Sequence, residues 1–395
     1  MSATHGLAGR LLKRSRLLGL ALVAAFALSG VLASGAGAVP AVNQTYLALG
    51  DSLAFGYSQQ LFNEHLETGE PAAAFTHGYV DNYLAKINTH LAFKTTRLQN
   101  LGCPGETSGS LIGNGALEAG LKGGQELEEG KAVAAFGEAA CAYHELAAAG
   151  AGFPAGFKFP LHTEYGPAGT SQLEAALGLI AQDAAEGKPV THVTLNIGAN
   201  DQLHFVNKCK AEATAKAEKG EIPPTKEAIE KAVSECLVAG AFPLGEAIGA
   251  NIARILTVLR HGSSFGGVDY NGPIQFVAAY NPFGNLLAFP THKEQLEGVN
   301  DEVLPGSNGL AGVFNSGFAG VVTKFGGCTT NELARFNPKN GTEPKKLQEW
   351  TNMTNPVKTE FPKESGKFLS NAEDIHPTPL GYKVMTAWMI HSCGV

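Results

Sequence analysis

Four short, largely apolar segments constrain the fold of this chain more than any other feature. Each has the length of one β-strand, each is closed by Gly, Asn or Asp, and they lie at residues 46–49, 95–101, 190–197 and 274–279. Stretches with helical periodicity separate them. Apolar strands that alternate with helices are typical of a parallel sheet covered on both faces. Ligands of such sheets bind beyond the carboxyl ends of the strands, so the polar residues that close these segments are the candidates for function.

The first 38 residues have the composition of a secretory signal peptide. Residues 1–16 carry four basic side chains and no acidic one, residues 17–32 are almost wholly apolar, and small residues follow up to Ala38. A basic start, an apolar middle and an A-x-A exit predict export with cleavage after Ala38. An uncleaved membrane anchor is the alternative, and the small-residue exit argues against it. We therefore expect a secreted mature chain, residues 39–395, with no stable membrane span.

Charge and cysteine content narrow the possible partners. Without its first 38 residues the chain carries 25 Lys and Arg against 36 Asp and Glu, a net charge of −11. Nucleic-acid binding rewards clustered Lys and Arg and is not expected. All six cysteines lie in the mature chain and predict three disulfides, whose pairing the residues alone do not select. A metal site is the weaker interpretation because no Cys or His pair has ligand spacing.

Two long regions interrupt the alternation of strands and helices. Residues of about 108–169 are rich in Gly and Ala and predict an irregular loop. Residues of about 203–245 contain two predicted helices, the second with Thr225 as its N-cap and ending near Gly240. A further helical stripe is predicted at 252–259. We interpret the two regions as insertions over the crevice of a single domain, residues 39–395.

Two serines have surroundings that suit a nucleophile. Ser264 lies in a G-x-S-x-G sequence, residues 262–266, but a helix leads into it and a turn follows, whereas this elbow needs a strand before it and a helix after it. Ser52 follows the first strand segment, and a helical turn begins just beyond it. Its hydroxyl would lie at the carboxyl edge of the sheet, near helix amides that favour negative charge. Taken alone, Ser52 suits a helix N-cap as well as it suits a nucleophile.

A nucleophilic serine needs a base, and the base needs a group that orients it. His376 lies in a proline-stiffened loop, with Asp374 two residues and Glu373 three residues upstream. The alternative is that Asp374 or Thr378 caps the last helix while His376 is merely exposed. No other histidine combines an acidic neighbour with a rigid loop, although His204 has an aspartate three residues before it.

Donors for an oxyanion are found at two other strand ends. Gly102, in the segment NLGCPG, offers a backbone amide, and Asn200, in the segment NIGAND, offers a side-chain amide. Gly and Asn are also ordinary turn residues, so neither segment is specific by itself. With Ser52 and His376 they complete the set that acyl transfer requires.

These four segments together resemble the SGNH hydrolases, the GDSL family of lipases and esterases. The blocks of the family match Gly50-Asp51-Ser52-Leu53, the segment from Asn100 to Gly105, Gly198-Ala199-Asn200-Asp201, and the segment that ends at His376-Pro377-Thr378, in the order of the family. The resemblance implies a three-layer α/β/α, flavodoxin-like fold with a parallel central sheet. It also implies that Ser52 attacks an ester carbonyl, His376 takes the proton, and Gly102 and Asn200 stabilise the oxyanion. No metal or organic cofactor is required.

The chain departs from the family pattern at the acidic residue. The family places the acid three residues before the histidine, where this chain has Glu373, and some members use a backbone carbonyl instead. We favour Asp374 because its shorter side chain loses less entropy when it is fixed. Related secreted members imply sequential disulfides, which here are Cys103–Cys141, Cys209–Cys236 and Cys328–Cys393.

The residues leave the substrate open. We expect a monomer that acts on a small-molecule or lipid ester; acyl transfer to an alcohol and a catalytically inactive binding protein are the alternatives. Apolar side chains that follow the fourth strand segment could form an acyl wall or the start of a buried helix: Phe283, Leu286, Leu287 and Phe289. The two insertions could form a lid over a long acyl chain, or they could narrow the site to short esters or to acetyl groups carried by a saccharide.

Overall fold

The computed structural model of the protein describes residues 44–59, 61, 72–90, 96–113, 141, 161–167, 170–282, 303–337, 349–352 and 374–394. The predicted signal peptide, most of the insertion at 108–169, the proposed acyl wall and Glu373 all lie outside these residues. Predictions that fall on those segments therefore stay predictions.

A five-stranded parallel sheet forms the centre of the domain. Its strands are β1 (Gln44–Gly50), β2 (Thr96–Asn100), β3 (Val190–Asn196), β4 (Ile274–Ala278) and β5 (Cys328–Asn331), and their order in the sheet is β2-β1-β3-β4-β5. The first four strands are the four predicted segments, with ends that shift by one or two residues. The sequence analysis missed β5, whose four residues CTTN are short and polar. The strand order reverses between β1 and β3, so a ligand crevice is expected where these two strands end.

Helices cover both faces of the sheet, which confirms the three-layer α/β/α fold. In chain order the helices among the described residues are α1 (Ser52–Phe55), α2 (Tyr79–His90), α3 (Ser108–Ile112), α4 (Gln172–Ala185), α5 (Ala199–Glu218), α6 (Lys226–Arg260), α7 (Val303–Lys324), α8 (Glu332–Phe336) and α9 (Pro379–Cys393). Side chains of β1 alternate between the two layers. Leu47 and Leu49 pack with α4, α6 and α7, whereas Tyr46 and Ala48 pack with α2 and α9.

One long helix replaces the two separate helical stretches predicted after residue 225. Thr225 caps α6 as predicted, by accepting a hydrogen bond from the amide of Ala228. The helix does not end near Gly240 but continues through Pro243 to Arg260. Neighbouring aromatic rings pack tightly against it there: a Cβ added at Gly240 would lie 2.2 Å from a Phe205 ring carbon. Tertiary packing thus overrides the weak helix propensity of this Gly/Pro-containing stretch.

The second half of α6 has the position of a core helix, packed against the sheet. By length and composition alone α6 could also cross a membrane, and among the described residues it is the one helix of which this is true. The first half of α6 pairs with α5 in a hairpin.

The three predicted disulfides are confirmed: Cys103–Cys141, Cys209–Cys236 and Cys328–Cys393. The second joins α5 to α6 and lies within a small apolar cluster of its own. The third joins β5 to the end of α9.

Candidate active site

Ser52 lies at the carboxyl end of β1, on the first residue of α1. Gly50 makes this sharp turn possible, because its φ is 142° and a Cβ there would lie 2.1 Å from the carbonyl oxygen of Asn196. Asp51, not Ser52, caps the short helix, since Asp51 Oδ1 accepts the amide hydrogen of Leu53 at 2.9 Å. The interpretation of Ser52 as an N-cap is therefore wrong.

The Ser52 hydroxyl instead pairs with the imidazole of His376. His376 Nε2 lies 2.8 Å from Ser52 Oγ, although the two residues are 324 positions apart. On the other side of the ring, His376 Nδ1 lies 2.6 Å from Asp374 Oδ1. The structure thus brings together three of the predicted site residues in the order hydroxyl, imidazole, carboxylate. This is the arrangement that lets an imidazole accept a proton from a serine.

Asp374 is held firmly. It is 5% exposed, and Oδ1 accepts hydrogen bonds from both the amide and Nδ1 of His376. Oδ2 accepts the backbone amide of Gln59 and the side-chain amide of Asn352, each at 3.0 Å. These four hydrogen bonds fix the carboxylate in position beside the imidazole of His376.

Backbone contacts fix the loop that carries His376. The amide of Asn352 donates to the His376 carbonyl at 2.9 Å, and the amide of Thr378 donates to the Trp350 carbonyl at 2.8 Å. Thr378 also caps α9, so the capping role weighed for it in the sequence does exist beside the contact between His376 and Ser52. The ring of Tyr57 packs against the His376 ring, with centroids 4.7 Å apart.

Asn200 lies in the first turn of α5, on the cavity that also contains Ser52 and His376. Its Nδ2 donates one hydrogen to the Glu106 carbonyl at 2.9 Å. An amide nitrogen carries two hydrogens, so a second remains for a ligand. Below it, Asp201 accepts hydrogen bonds from the amide and hydroxyl of Ser108, which fixes the start of α5 against α3.

Gly102 is buried beneath α1, and a Cβ there would lie 2.6 Å from the amide nitrogen of Phe55. Its own amide hydrogen is donated to Asn100 Oδ1 at 2.9 Å. Gly105 follows in the same loop with a φ of 79°, and its amide, like that of Ser52, has no hydrogen-bond partner among the described residues. The role of Gly102 stays a prediction, and Gly105 is a second candidate in its segment.

Buried carboxyl groups surround the base of Ser52. Burial, together with the nearby carboxyls of Asp201 and Glu106, raises the pKa of Asp51 from 3.8 to about 7, and the hydrogen bond from the Leu53 amide opposes this rise. Burial also raises the pKa of Asp201, which its hydrogen bonds from Ser108 oppose. A neutral Asp51 would add no negative charge beside a developing oxyanion.

A cavity of about 610 Å³ opens over Ser52, Asn200 and His376. Its far wall consists mainly of apolar side chains from α5, α6 and α7: Leu203, Phe205, Val206, Leu237, Leu244 and Phe314. A volume of this size is in the range of small-molecule sites. The region predicted as the insertion at 203–245 therefore forms one wall of the candidate site.

The cluster of Cys103, Glu106 and Cys141 is the one group in the described part of the chain whose ligand atoms are close enough to hold a metal ion. Both cysteines belong to one disulfide, and metals bind the thiolate form of cysteine. These residues do not fit a metal site.

Sequence reasoning missed the groups that position the site. Gln59 and Asn352 hold Asp374, and Glu106 holds Asn200, across separations of 315, 22 and 94 residues in the chain. No spacing in the sequence signals such contacts. Of the other histidines that the structure describes, His192 lies within β3 and His204 lies within α5.

Comparison of the chain with known protein families and solved structures identifies one family. The family model described as GDSL-like Lipase/Acylhydrolase matches residues 46–389. No curated protein sequence matches the chain. Similar solved structures include an acetyl-xylooligosaccharide esterase from Geobacillus, 13% identical, which covers 90% of this chain and 97% of its own with a TM-score of 0.36. An α/β hydrolase from the metagenome of Lake Arreo, Spain, is also 13% identical and covers 90% and 98%, with a TM-score of 0.33.

Proposed function

Because this chain belongs to the family of GDSL-like lipases and acylhydrolases, we propose that it is a serine carboxylester hydrolase with Ser52 as nucleophile and His376 as general base. Family membership supports hydrolysis of an ester. The observation that carries the assignment of residues is the hydrogen-bonded series Ser52, His376 and Asp374 at the floor of an apolar cavity.

Ser52, His376 and Asp374 can carry out both half-reactions of ester hydrolysis. Ser52 Oγ attacks the ester carbonyl while its proton passes to His376 Nε2, and Asp374 stabilises the imidazolium through Nδ1. The tetrahedral intermediate collapses with transfer of that proton to the leaving alcohol, which leaves an acyl-serine. Water then attacks the acyl group, His376 takes the proton of the water, and the acid leaves as Ser52 recovers its proton.

The oxyanion needs donors that are already aimed at it. We assign this role to the Ser52 amide and to the second hydrogen of Asn200 Nδ2. Two backbone amides are candidates for the third donor. The Gly102 amide would have to share its hydrogen between Asn100 and the oxyanion, whereas the Gly105 amide has no partner among the described residues. Hydrogen bonds to the charged oxygen in such a site are each worth about 2.7–4 kcal/mol in the transition state.

Export is part of the proposal. Three disulfides persist in oxidising compartments and are rare in the cytosol, and the leader predicted at residues 1–38 would direct the chain there. The disulfides of the described residues support this assignment.

Labelling with a serine-directed fluorophosphonate, followed by peptide mapping, tests the proposal. We expect one modified residue, Ser52, and loss of both labelling and p-nitrophenyl ester turnover in Ser52→Ala. Ser264→Ala is the matched control, because it lies in the rejected G-x-S-x-G sequence and should behave like the wild type. Labelling at another serine, or no turnover of any ester with an unlabelled Ser52, would refute the assignment and favour a binding protein.

The same acyl-enzyme could pass its acyl group to an alcohol instead of water. Turnover in the presence of an added alcohol separates the two outcomes. A hydrolase releases mainly the free acid, whereas an acyltransferase releases mainly the new ester.

A further inference from the structure

Three large apolar side chains lie exposed beside the mouth of the cavity. Val238 and Phe242 on α6 are 78% and 72% exposed, and Val313 on α7 is 67% exposed. Large apolar side chains with high exposure occur at two further positions of the described residues, Val268 at 41% and Leu380 at 50%. We call Val238, Phe242 and Val313 the apolar rim. Among the described residues, the three most exposed large apolar side chains thus lie at one place, which is unusual for a surface that faces only water.

The apolar rim is continuous with the cavity. Val238 and Phe242 are four residues apart and so lie on one face of α6. Val238 and Val313 also line the cavity, whose floor contains Ser52 and His376. An apolar path therefore leads from the outer surface of the protein to the proposed nucleophile.

The two helix segments that carry the apolar rim contain no charged residue. Residues 236–245 of α6 and residues 303–323 of α7 contain no Asp, Glu, Lys or Arg. The ion pair between Lys231 and Glu235 precedes this uncharged segment of α6. Protein interfaces usually surround an apolar centre with a polar rim, whereas a lipid layer requires only apolar contact. The net charge of −11 in the predicted mature chain disfavours an anionic lipid surface.

We propose that the apolar rim docks onto the surface of uncharged lipid and that an ester enters the cavity from that surface. The proposal rests on the proposed function for its substrate, but it assigns a separate property, adhesion to a lipid surface, to side chains that take no part in bond cleavage. An apolar chain then moves from the lipid layer along the cavity to Ser52 without crossing bulk water.

Binding is tested first in the Ser52→Ala background, so that no turnover intervenes. The probe is sedimentation with sucrose-loaded vesicles of zwitterionic phosphatidylcholine. We expect the Ser52→Ala protein to partition onto the vesicles, and an added Phe242→Ser change to weaken partitioning by about tenfold, because burying one phenylalanine contributes about that factor or more. Phe242 does not line the cavity, so its replacement leaves the walls intact. Val268→Ser is the matched control, because Val268 is exposed and apolar but lies before the amino end of β4, whereas the cavity lies at the carboxyl ends of the strands. It should change partitioning by less than about twofold.

Activity is then measured with Ser52 restored. Phe242→Ser should leave turnover of the water-soluble p-nitrophenyl acetate unchanged and lower turnover of a triglyceride emulsion by about tenfold. Equal losses on both substrates would overturn the proposal. So would absence of vesicle binding by the parent, binding only to anionic phosphatidylglycerol, or equal effects of Phe242→Ser and Val268→Ser.

Two further outcomes have distinct meanings. A dimer in lipid-free sedimentation velocity that Phe242→Ser dissociates would assign the apolar rim to a second copy of the chain and overturn lipid docking. Vesicle binding that depends on Phe242, together with no turnover of any ester by the Ser52-containing protein, would leave docking intact and refute the proposed function instead.

Discussion

The two sides of the cavity are built in different ways. On the side of the sheet, Ser52, His376 and Asp374 are held by short hydrogen bonds among segments that lie far apart in the chain. On the opposite side, the hairpin of α5 and α6, together with α7, presents mainly apolar side chains, and the Cys209–Cys236 disulfide joins the two helices of the hairpin. The catalytic side holds the reacting atoms of Ser52, His376 and Asp374 at hydrogen-bonding distance, whereas the helical side provides an apolar surface for the substrate.

This difference assigns bond cleavage to the first side of the cavity and the choice of substrate to the second. Hydrogen bonds to a carboxylate or an oxyanion are directional, and their loss is felt in kcat. Apolar contacts are not directional and scale with buried area, so their loss is felt mainly in KM for substrates large enough to make them. Changes on the catalytic side should thus affect all esters alike, and changes on the helical side should depend on chain length.

The largest effect in these predictions is expected at Asp374. In Asp374→Asn one carboxylate oxygen is replaced by an NH2 group, which would face the hydrogen-bond donors that contact Asp374 in the wild type. The imidazole of His376 therefore loses its preferred orientation and the negative charge that stabilises its protonated form. We expect kcat to fall by about 10³–10⁴ for short and long p-nitrophenyl esters alike. Steady-state kinetics over a chain-length series measures this.

Asn352→Ala serves as the matched control, because it removes one of the hydrogen bonds to Asp374 and leaves the carboxylate. We expect a loss of about tenfold or less, in line with one neutral donor. A larger loss in Glu373→Gln than in Asp374→Asn would move the orienting role to Glu373.

Asn200 should follow with a smaller loss. Asn200→Ala removes a donor that acts only when the oxyanion forms, so kcat should fall by about 10²–10³ with little change in KM. Gln202→Ala is the control, since that side chain also lies on the cavity and donates to the Gly198 carbonyl. If activity of Asn200→Ala stayed within about threefold of the wild type, Asn200 would have no place in the oxyanion hole.

The disulfide of the hairpin tests the helical side. Replacing Cys209 and Cys236 together with serine frees a loop of 27 residues, which lowers the free energy of unfolding by about 3–4 kcal/mol. Because the apolar wall loosens, KM for a p-nitrophenyl ester with a twelve-carbon acyl chain should rise several-fold, while kcat for the acetate stays near that of the wild type.

The matched control is the double replacement of Cys328 and Cys393, which join β5 to the end of α9. It should cost comparable stability without any dependence on chain length. Equal KM changes for both double variants would contradict the division of the cavity into a catalytic side and a selecting side.

The reacting groups could be predicted from the sequence because their signals are local. Apolar strand segments that end in Gly, Asn or Asp located β1 to β4, and the residues at their ends included Ser52 and Asn200. The strand β5 was not predicted because its residues CTTN have no apolar pattern. It forms because its backbone pairs with β4. The continuity of α6 escaped because Gly240 and Pro243 suggest a break, whereas packing by Phe205 outweighs their propensity.

The supporting contacts of the site have no such signal. Gln59 lies 315 residues before Asp374 in the chain, and only the packed fold brings its amide to the carboxylate. The cap of α1 also needed the structure, since Asp51 and Ser52 are adjacent and both suit an N-cap. The structure shows that the Leu53 amide donates to Asp51, which leaves the Ser52 hydroxyl available to His376.

The last prediction for the catalytic side concerns the ionisation of Asp51, and its readout is stability and not kcat. Its pKa is raised by burial to about 7, so between about pH 4 and pH 7 the folded protein keeps a proton that the unfolded chain has released. The stability that Asp51 contributes is thus fully present below about pH 4 and lost as the pH rises through about 7. Asp51→Asn keeps an oxygen for the Leu53 amide but cannot ionise. From pH 4 to pH 8 we expect its free energy of unfolding to fall by about 2–4 kcal/mol less than that of the wild type, as measured by urea unfolding. Parallel curves for the two proteins would contradict a raised pKa of Asp51, because a pKa equal to that of the unfolded chain gives no pH dependence of stability.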